Sequence, residues 1–175
     1  MDTPTPPILE TTRLWLRPMR DDDFDALLEI FTDPKVMAAF GGELLTPTQM
    51  QGWLSRNLEH QTQFGYGLFS VIRKADGLLI GDCGLEQMLV DGQAAAELGY
   101  DFRSDAWHQG YATEAACTVR DYAFTALQLP RLISLIRVGN LASRRVAEKV
   151  GMRPVGEVER HDTRYWQFAL ERTGL

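Results

Sequence analysis

The chain has no apolar run near the roughly 20 residues that a membrane-spanning helix requires. Its first residues, Met1 to Pro7, are acidic and proline-rich and lack the basic-then-apolar pattern of a secretion signal. A soluble, cytoplasmic protein is therefore expected. Cysteine is scarce: Cys83 and Cys117 stand far apart with no paired spacing, which indicates neither a zinc site nor a disulfide framework, so no metal is expected. Positive charge is in deficit as well. A net charge of −6 argues against broad nucleic-acid binding, because phosphate contacts need clustered Lys and Arg that turn a domain basic. A cationic or amine-bearing substrate suits that field better. Internal repeats and long linkers are also missing. With 175 residues and 45% hydrophobic composition, the chain can bury one sizeable core but not two. Residues 1–8 read as a flexible tail and residues 9–172 as a single domain.

What is present is a change of period along the chain. Arg13 to Arg17 alternates like a strand and stops at Pro18; Asp21, Asp22 and Asp23 then put negative charge where a helix begins, and Phe24, Leu27, Leu28 and Phe31 recur at helical spacing. Pro34 is expected to end that helix or follow its end. Thr46-Pro47-Thr48-Gln49 has the form of a capping box with Pro at the first helical position, and the helix after it buries Met50, Trp53, Leu54 and Leu58. The middle of the chain has a period near two, in runs Leu68 to Arg73, Leu78 to Met88 and Ala95 to Phe102. Asp76-Gly77 and Asp91-Gly92 join them as hairpins, since Asp-Gly tolerates the positive φ of a tight turn. In the third run Leu98, Tyr100 and Phe102 share one face and Glu97, Gly99 and Asp101 the other, with Gly99 a candidate bulge.

From Gly110 the pattern is helical again, with small residues that let a helix lie close to a sheet; a strand from Leu132 to Val138 follows, then a short helix that Asn140 caps and Gly151 ends. The strand, helix, strand order implies a parallel pair. Met152 to Val158 and Arg164 to Leu170 close the chain as a hairpin. The fold class is α/β (α+β): a mixed, mostly antiparallel sheet of six to seven strands with about four helices on its faces.

Chemistry concentrates where Trp107-His108-Gln109-Gly110-Tyr111-Ala112-Thr113 passes from loop to helix. Amides of a first helical turn carry about half a positive charge and, with successive loop amides, form a concave nest for phosphate oxygens. Taken alone, one Gly-x-Ala is more readily explained by helix-on-sheet packing. The residues resemble the GNAT superfamily of N-acetyltransferases, whose pyrophosphate loop has the form Gln/Arg-x-x-Gly-x-Gly/Ala; Gly110 and Ala112 match, and Trp107 departs from the first position. Glu97-Leu98-Gly99-Tyr100, Asn140-x-x-Ser143, Glu148 to Met152 and the start Thr11-Thr12-Arg13-Leu14 look like the RimJ/RimL-like branch, the ribosomal-protein alanine N-acetyltransferases.

The resemblance implies a GNAT fold with a splayed central parallel strand pair and acetyl-CoA as cosubstrate. It implies that pantetheine lies along Leu98, Gly99 and Tyr100 like an added strand, the diphosphate on the amides from His108 through Gln109, Gly110, Tyr111 and Ala112 to Thr113, and Asn140 on the other wall. A bulged Gly99 would aim an amide at the thioester oxygen. Many superfamily members carry a tyrosine acid where this chain has Ala147; the branch suggests Ser143 instead. Glu97 leads as general base, with Asp101, Glu86 and His108 beside it, and orientation alone could suffice. His60 and His161 read as surface residues, and Trp53, Phe64, Tyr66, Trp107 and Tyr165 as packing or pocket-wall aromatics. The implied function is acetyl transfer from acetyl-CoA to a primary amine, on a protein N-terminus or a small molecule, by an enzyme whose edge strands allow a homodimer. The rivals are a non-catalytic acyl-CoA-binding sensor and a nucleotide-binding α/β domain; the second needs its glycine loop after the first strand of a parallel sheet, and here the loop follows a meander.

Overall fold

The structure, a computed structural model, describes residues 8–90 and 92–173. All but Ile8 of the tail assigned to residues 1–8, and Asp91 of the second turn, lie outside the described residues. The elements run β1 (Leu9–Glu10), β2 (Leu14–Pro18), α1 (Phe24–Phe31), α2 (Pro34–Met37), α3 (Pro47–Phe64), β3 (Leu68–Arg73), β4 (Leu79–Val90), β5 (Gln93–Phe102), α4 (Tyr111–Thr125), β6 (Arg131–Arg137), α5 (Leu141–Val150), β7 (Arg153–Arg160) and β8 (Thr163–Glu171). The strands form one sheet in the order β1-β2-β3-β4-β5-β6-β8-β7, and β5–β6 is its parallel pair.

Among the described residues there are eight strands and five α-helices, against an expectation of six to seven and about four. The additional elements are short. β1 is two residues long and pairs with β2. Pro34 follows the end of α1, as expected, and itself opens a further short helix: Asp33 accepts the Lys35 amide at 2.9 Å, and proline at the first helical position gives up no needed donor. The capping box of α3 is present in both directions, Gln49 N–H to Thr46 at 3.2 Å and Thr46 N–H to Gln49 at 2.8 Å.

Alternation along the strands feeds two cores. Leu14, Leu16, Phe69, Val71, Ile80, Leu85 and Leu98 face α4 and α5. Leu68 and Leu79 join the helical residues Leu27, Ile30, Met50 and Leu54 on the opposite face. Each fully buried leucine here stabilises the fold by about 1.5–3 kcal/mol relative to an exposed one. The alanines Ala115, Ala116 and Ala123 have no exposed surface, which is how α4 approaches the sheet closely.

The expected bulge at Gly99 is not found. Register between β4 and β5 runs unshifted from Gly81↔Phe102 to Val90↔Gln93, passing through Gly84↔Gly99. The sheet opens on the other edge of β5, where pairing with β6 is confined to Glu97↔Ile133. A side chain occupies the break. The Leu135 N–H, which points along that edge, donates to Oε1 of Glu97 at 3.0 Å, so a carboxyl group stands where backbone would continue the ladder. Beyond it the β6-facing edge of β5 has no strand partner.

Candidate functional site

The loop between β5 and α4 is built to present backbone. The Arg103 N–H donates to Ile80 O at 2.9 Å as β5 ends, Ser104–Ala106 makes one 3-10 turn, and the Trp107 indole donates to Phe102 O at 2.9 Å. His108 then takes φ 60° and Gly110 φ 81°, two left-handed residues that turn the chain sharply into α4. No side chain caps the helix. Its first-turn amides are therefore left to solvent or an anion, the arrangement that binds phosphate at helix N-termini.

The back of this loop is pinned by the N-terminal segment. Arg13 Nη1 donates to Gln109 O at 2.9 Å, its guanidinium pairs with Glu114 at 2.6 Å and lies 4.3 Å from the Tyr111 ring centroid, and the Thr11 hydroxyl donates to Glu114 at 2.6 Å. Burial opposes ionisation of Glu114, but the bonds from Thr11 and Arg13 prevail and hold its carboxyl below the ordinary range.

Across the opening, the Asn140 side chain accepts the Ser143 amide at 3.1 Å and so caps α5. The Tyr100 hydroxyl reaches over from β5 and donates to Ser143 O at 2.7 Å, tying the two walls together. Burial first, then nearby negative charge, raises the Tyr100 phenol far above its usual value, so it stays a donor. Ala147, one turn further along α5, is fully buried.

Between these walls lies a cleft of about 980 Å³. Tyr100, Asp101, Trp107, His108, Gly110, Tyr111, Ala112, Thr113, Asn140 and Ser143 line it, and residues 38–42 close one side. Of the other residues singled out by sequence, Leu98 has its side chain in the core, Gln109 donates its side-chain amide to Asp105 O at 3.1 Å, and neither they nor Gly99 and Glu97 are among the lining residues. Lys35, Arg137, Arg145 and Lys149 also line the cleft, and none of them forms an ion pair among the described residues. The sequence reading missed this concentration of positive charge, because net charge conceals it. Arg145 and Lys149 are one helical turn apart after a capping Asn, which is the signal that marks one basic helix face.

The face of the sheet turned toward α1 and α3 carries carboxyl groups in cross-strand pairs, Asp82 with Asp101 and Glu86 with Glu97. Burial is the leading cause that raises each of them: Glu97 to about 7, Asp101 to about 7, Asp82 well above the carboxylate range, and Glu86 upward. Asp82 was missed by sequence, although counting outward from a two-residue turn at 91–92 pairs it with Asp101.

His60 corrects a surface assignment. It is half-buried, its Nε2 accepts the Gln87 amide at 2.8 Å and its Nδ1 meets Tyr66 O at 3.1 Å, which fixes a neutral ring protonated on Nδ1. β3 has ended by this point, so His60 supplies the acceptor that the β4 edge would otherwise lack. His161, in the β7–β8 turn, is exposed as expected. Of the aromatic set only Trp107 lines the cleft; Trp53 packs on Phe31 with ring centroids 5.1 Å apart, and Phe64 and Tyr66 stack around His60.

Comparison with known proteins agrees with this geometry. The chain is 38% identical over 145 residues to the Bacillus subtilis (strain 168) protein YkkB, spanning 82% of this chain and 84% of that one. The crystal structure of an acetyltransferase from Agrobacterium tumefaciens str. C58 superposes with a TM-score of 0.82 at 30% identity, over 94% of each chain. RimL, a ribosomal L7/L12 alpha-N-protein acetyltransferase solved in complex with coenzyme A, shares the fold at a TM-score of 0.79 and 16% identity, over 94% of this chain and 98% of that one. A family model described as an acetyltransferase (GNAT) domain matches residues 13–153. With four-fifths of its length inside that match and its glycine-turned helix N-terminus facing a split parallel pair, this chain belongs to the GNAT family of acetyltransferases.

Proposed function

We propose that the protein moves an acetyl group directly from acetyl-CoA to a primary amine in a ternary complex, without a covalent enzyme intermediate. The observation that carries this reading is the charge of the cleft. In a chain of net charge −6, Lys35, Arg137, Arg145 and Lys149 line the same cleft as the uncapped N-terminus of α4. Paired amides and cations of that kind suit a diphosphate with a further phosphate nearby, the groups coenzyme A carries. The unpartnered edge of β5 offers pantetheine the bonding of an added strand. RimL, with coenzyme A bound in the same fold, supports the assignment of the cofactor.

Ser143 is the acid in this reading. Its backbone is held from both sides, by Asn140 and by Tyr100, the residue lines the cleft, and its hydroxyl makes no protein hydrogen bond among the described residues. Of the carboxylates the sequence offers as base, Asp101 lines the cleft, whereas Glu97 has an oxygen engaged by Leu135 and shapes the opening. The acceptor is an amine on a protein N-terminus or a small molecule; the RimJ/RimL-like motifs support the first and the acidic sheet face suits either.

Thiol release from acetyl-CoA, measured across peptides with free N-termini, 1,4-diaminobutane, lysine and benzylamine, tests the reading. Acceptor-dependent release is expected with at least one class. Tight calorimetric binding of acetyl-CoA with no release from any acceptor would favour a sensor, and no binding at all would overturn the cofactor assignment.

A further inference from the structure

The acids on the face of the sheet turned toward α1 and α3 have no counter-charge. Asp82 stands opposite Asp101, and four residues along Glu86 stands opposite Glu97, with Gly84 and Gly99 opposite each other between the two pairs. None of the four acids forms an ion pair among the described residues. Asp82 is fully buried, and neither of its carboxyl oxygens has a hydrogen-bond partner. Ser70, its neighbour on β3, does not relieve it, because that hydroxyl donates to Asp23, which Arg17 already grips at 2.8 Å. The Leu135 amide engages one oxygen of Glu97 and leaves the other free. Two cations act on the cluster without an ion pair, Arg56 of α3 on Glu86 and Arg160 of β7 on Glu97, and burial outweighs both. Buried acids ordinarily have a cation or donors to match them, so a cation is what this cluster lacks.

The shape of the cluster adds a direction. A Cβ built at Gly84 would collide with Gly67 O and Leu68 Cα, so backbone covers the middle of the cluster on β4. One built at Gly99 would meet nothing within 4 Å, and Gly99 is itself partly exposed. The open lane therefore runs over β5, from Asp101 at the cleft across Gly99 to Glu97, with Glu86 beside its far end. At the rise of an extended strand the lane is about 14 Å long. It is floored by backbone in the middle and acidic at both ends. An unbranched chain with a cation at each end matches that pattern, and a singly charged amine leaves one end of it unmet. Pantetheine along the edge of β5 and an amine over its face would not compete for the same backbone groups.

We propose that the acceptor is a linear aliphatic di- or polyamine, which lies along this lane with one ammonium group held by Glu86 and Glu97 while the amine at its other end meets the thioester beside Asp101. This rests on the acetyl-transfer reading and names its substrate class. The reacting end gives up one proton to become a free amine. Its electron pair forms the N–C bond to the thioester carbonyl, the C–S bond breaks as the tetrahedral intermediate collapses, and the second nitrogen proton is lost as the thiolate gains one. The distal ammonium keeps its proton and its charge throughout. The products are the mono-N-acetyl amine and coenzyme A thiol. A diamine acetylated at one end has a single cation left and no longer spans the lane, so transfer stops after one acetyl group.

Thiol release and calorimetry with 1,8-diaminooctane, spermidine and n-octylamine, the length-matched monoamine, are the test. KM for 1,8-diaminooctane should lie at least about tenfold below that for n-octylamine, and mass spectrometry should find one acetyl group per diamine with acetyl-CoA in excess. Glu86→Gln removes a charge that no hydrogen bond or ion pair holds in place, so it should raise KM for the diamine about tenfold and erase its advantage over the monoamine. The change should fall on KM and not on kcat, which separates a binding charge from a proton acceptor. Gly99→Val places a branched side chain in the lane and should abolish the same preference. A wild-type enzyme that turns over n-octylamine or a peptide N-terminus as well as the diamine overturns the proposal, and so does a diamine preference that survives Glu86→Gln. If no amine releases thiol, the acetyl-transfer reading falls and calorimetry decides the lane alone. Binding of 1,8-diaminooctane to the wild type and not to Glu86→Gln would then uphold a diamine site, and absence of binding would refute it.

Discussion

The Leu135 amide on β6 donates to the carboxyl group of Glu97 on β5 at 3.0 Å, and the ladder between the two strands stops there. One side chain thus satisfies the backbone group that the end of the parallel pairing would strand. The bond supports the charged form of Glu97, but burial outweighs it and raises the carboxyl to about 7. The folded state therefore holds the Glu97 proton more tightly than the unfolded state, whose carboxyl titrates near 4.5. Its contribution is full below that value and is lost as pH rises through about 7. Urea unfolding should show a shallower fall in stability over this window in Glu97→Gln than in the wild type. Glu97→Ala should cost about 1–3 kcal/mol at all pH values, because it orphans the Leu135 amide. An unchanged slope in Glu97→Gln would mean that other groups carry the pH dependence.

His60 plays the same part on the opposite side of the β4–β5 hairpin, accepting the Gln87 amide where β3 has run out. Burial lowers its pKa from 6.5, partly offset by the bond to Tyr66 O, so protonation is resisted in the folded state. The sign is opposite to that of Glu97: stability is present above the unfolded value of 6.5 and declines as pH falls below it. His60→Phe should remove this acid-side decline while losing about 1–3 kcal/mol at alkaline pH, where the Gln87 amide is left without an acceptor. Thermal unfolding at several pH values distinguishes the two effects, and a variant with the wild-type acid decline would exonerate His60.

Both side chains show where sequence reading stops. Period and caps are local, and Thr46 with Gln49, Gly110 ahead of α4, and Asn140 ahead of α5 all behave as their neighbours in sequence require. The opening in the sheet is not local: Glu97 reads as a polar strand residue until β6 arrives 38 positions later. The glycine beside it drew attention as a bulge for the same reason, since a gap in side-chain pattern is visible in sequence and a missing ladder is not. Asp82 reads as a strand residue, and its burial comes from β3, β5 and the helices α1 and α3, which lie on that face of the sheet. The basic face of the cleft is assembled from α2, β6 and α5, which no window along the chain contains together.

Gly110 sits at φ 81° as the residue before the first turn of α4. A Cβ there would meet only Arg13 Nη2, at 3.5 Å, so the protein itself leaves space for a side chain. Gly110→Val should therefore cost the fold about 1–3 kcal/mol of backbone strain, because a β-branched residue resists the left-handed φ, and relief of that strain displaces the first-turn amides of α4 that cradle the phosphate. Acetyl-CoA affinity by calorimetry is expected to fall at least about tenfold, the equivalent of 1.4 kcal/mol. Retained affinity in a folded variant would move the diphosphate away from this loop.

Ser143 provides the sharpest separation of binding from chemistry. Its amide serves the Asn140 cap and its carbonyl accepts from Tyr100, and both survive replacement of the hydroxyl by a methyl group. Ser143→Ala should leave stability and acetyl-CoA affinity near wild type, because neither backbone bond depends on the side chain. If the hydroxyl protonates the departing thiolate, kcat should fall about 100-fold, within the usual range for loss of a general acid. The loss should shrink with an acyl donor whose thiol is more acidic than coenzyme A, since a better leaving group needs less protonation. Tyr100→Phe is the complementary change: it keeps the Ser143 hydroxyl but frees the carbonyl of α5, so it should loosen the position of the acid and lower kcat by less. A kcat for Ser143→Ala equal to the wild type would assign proton delivery to water or to the substrate.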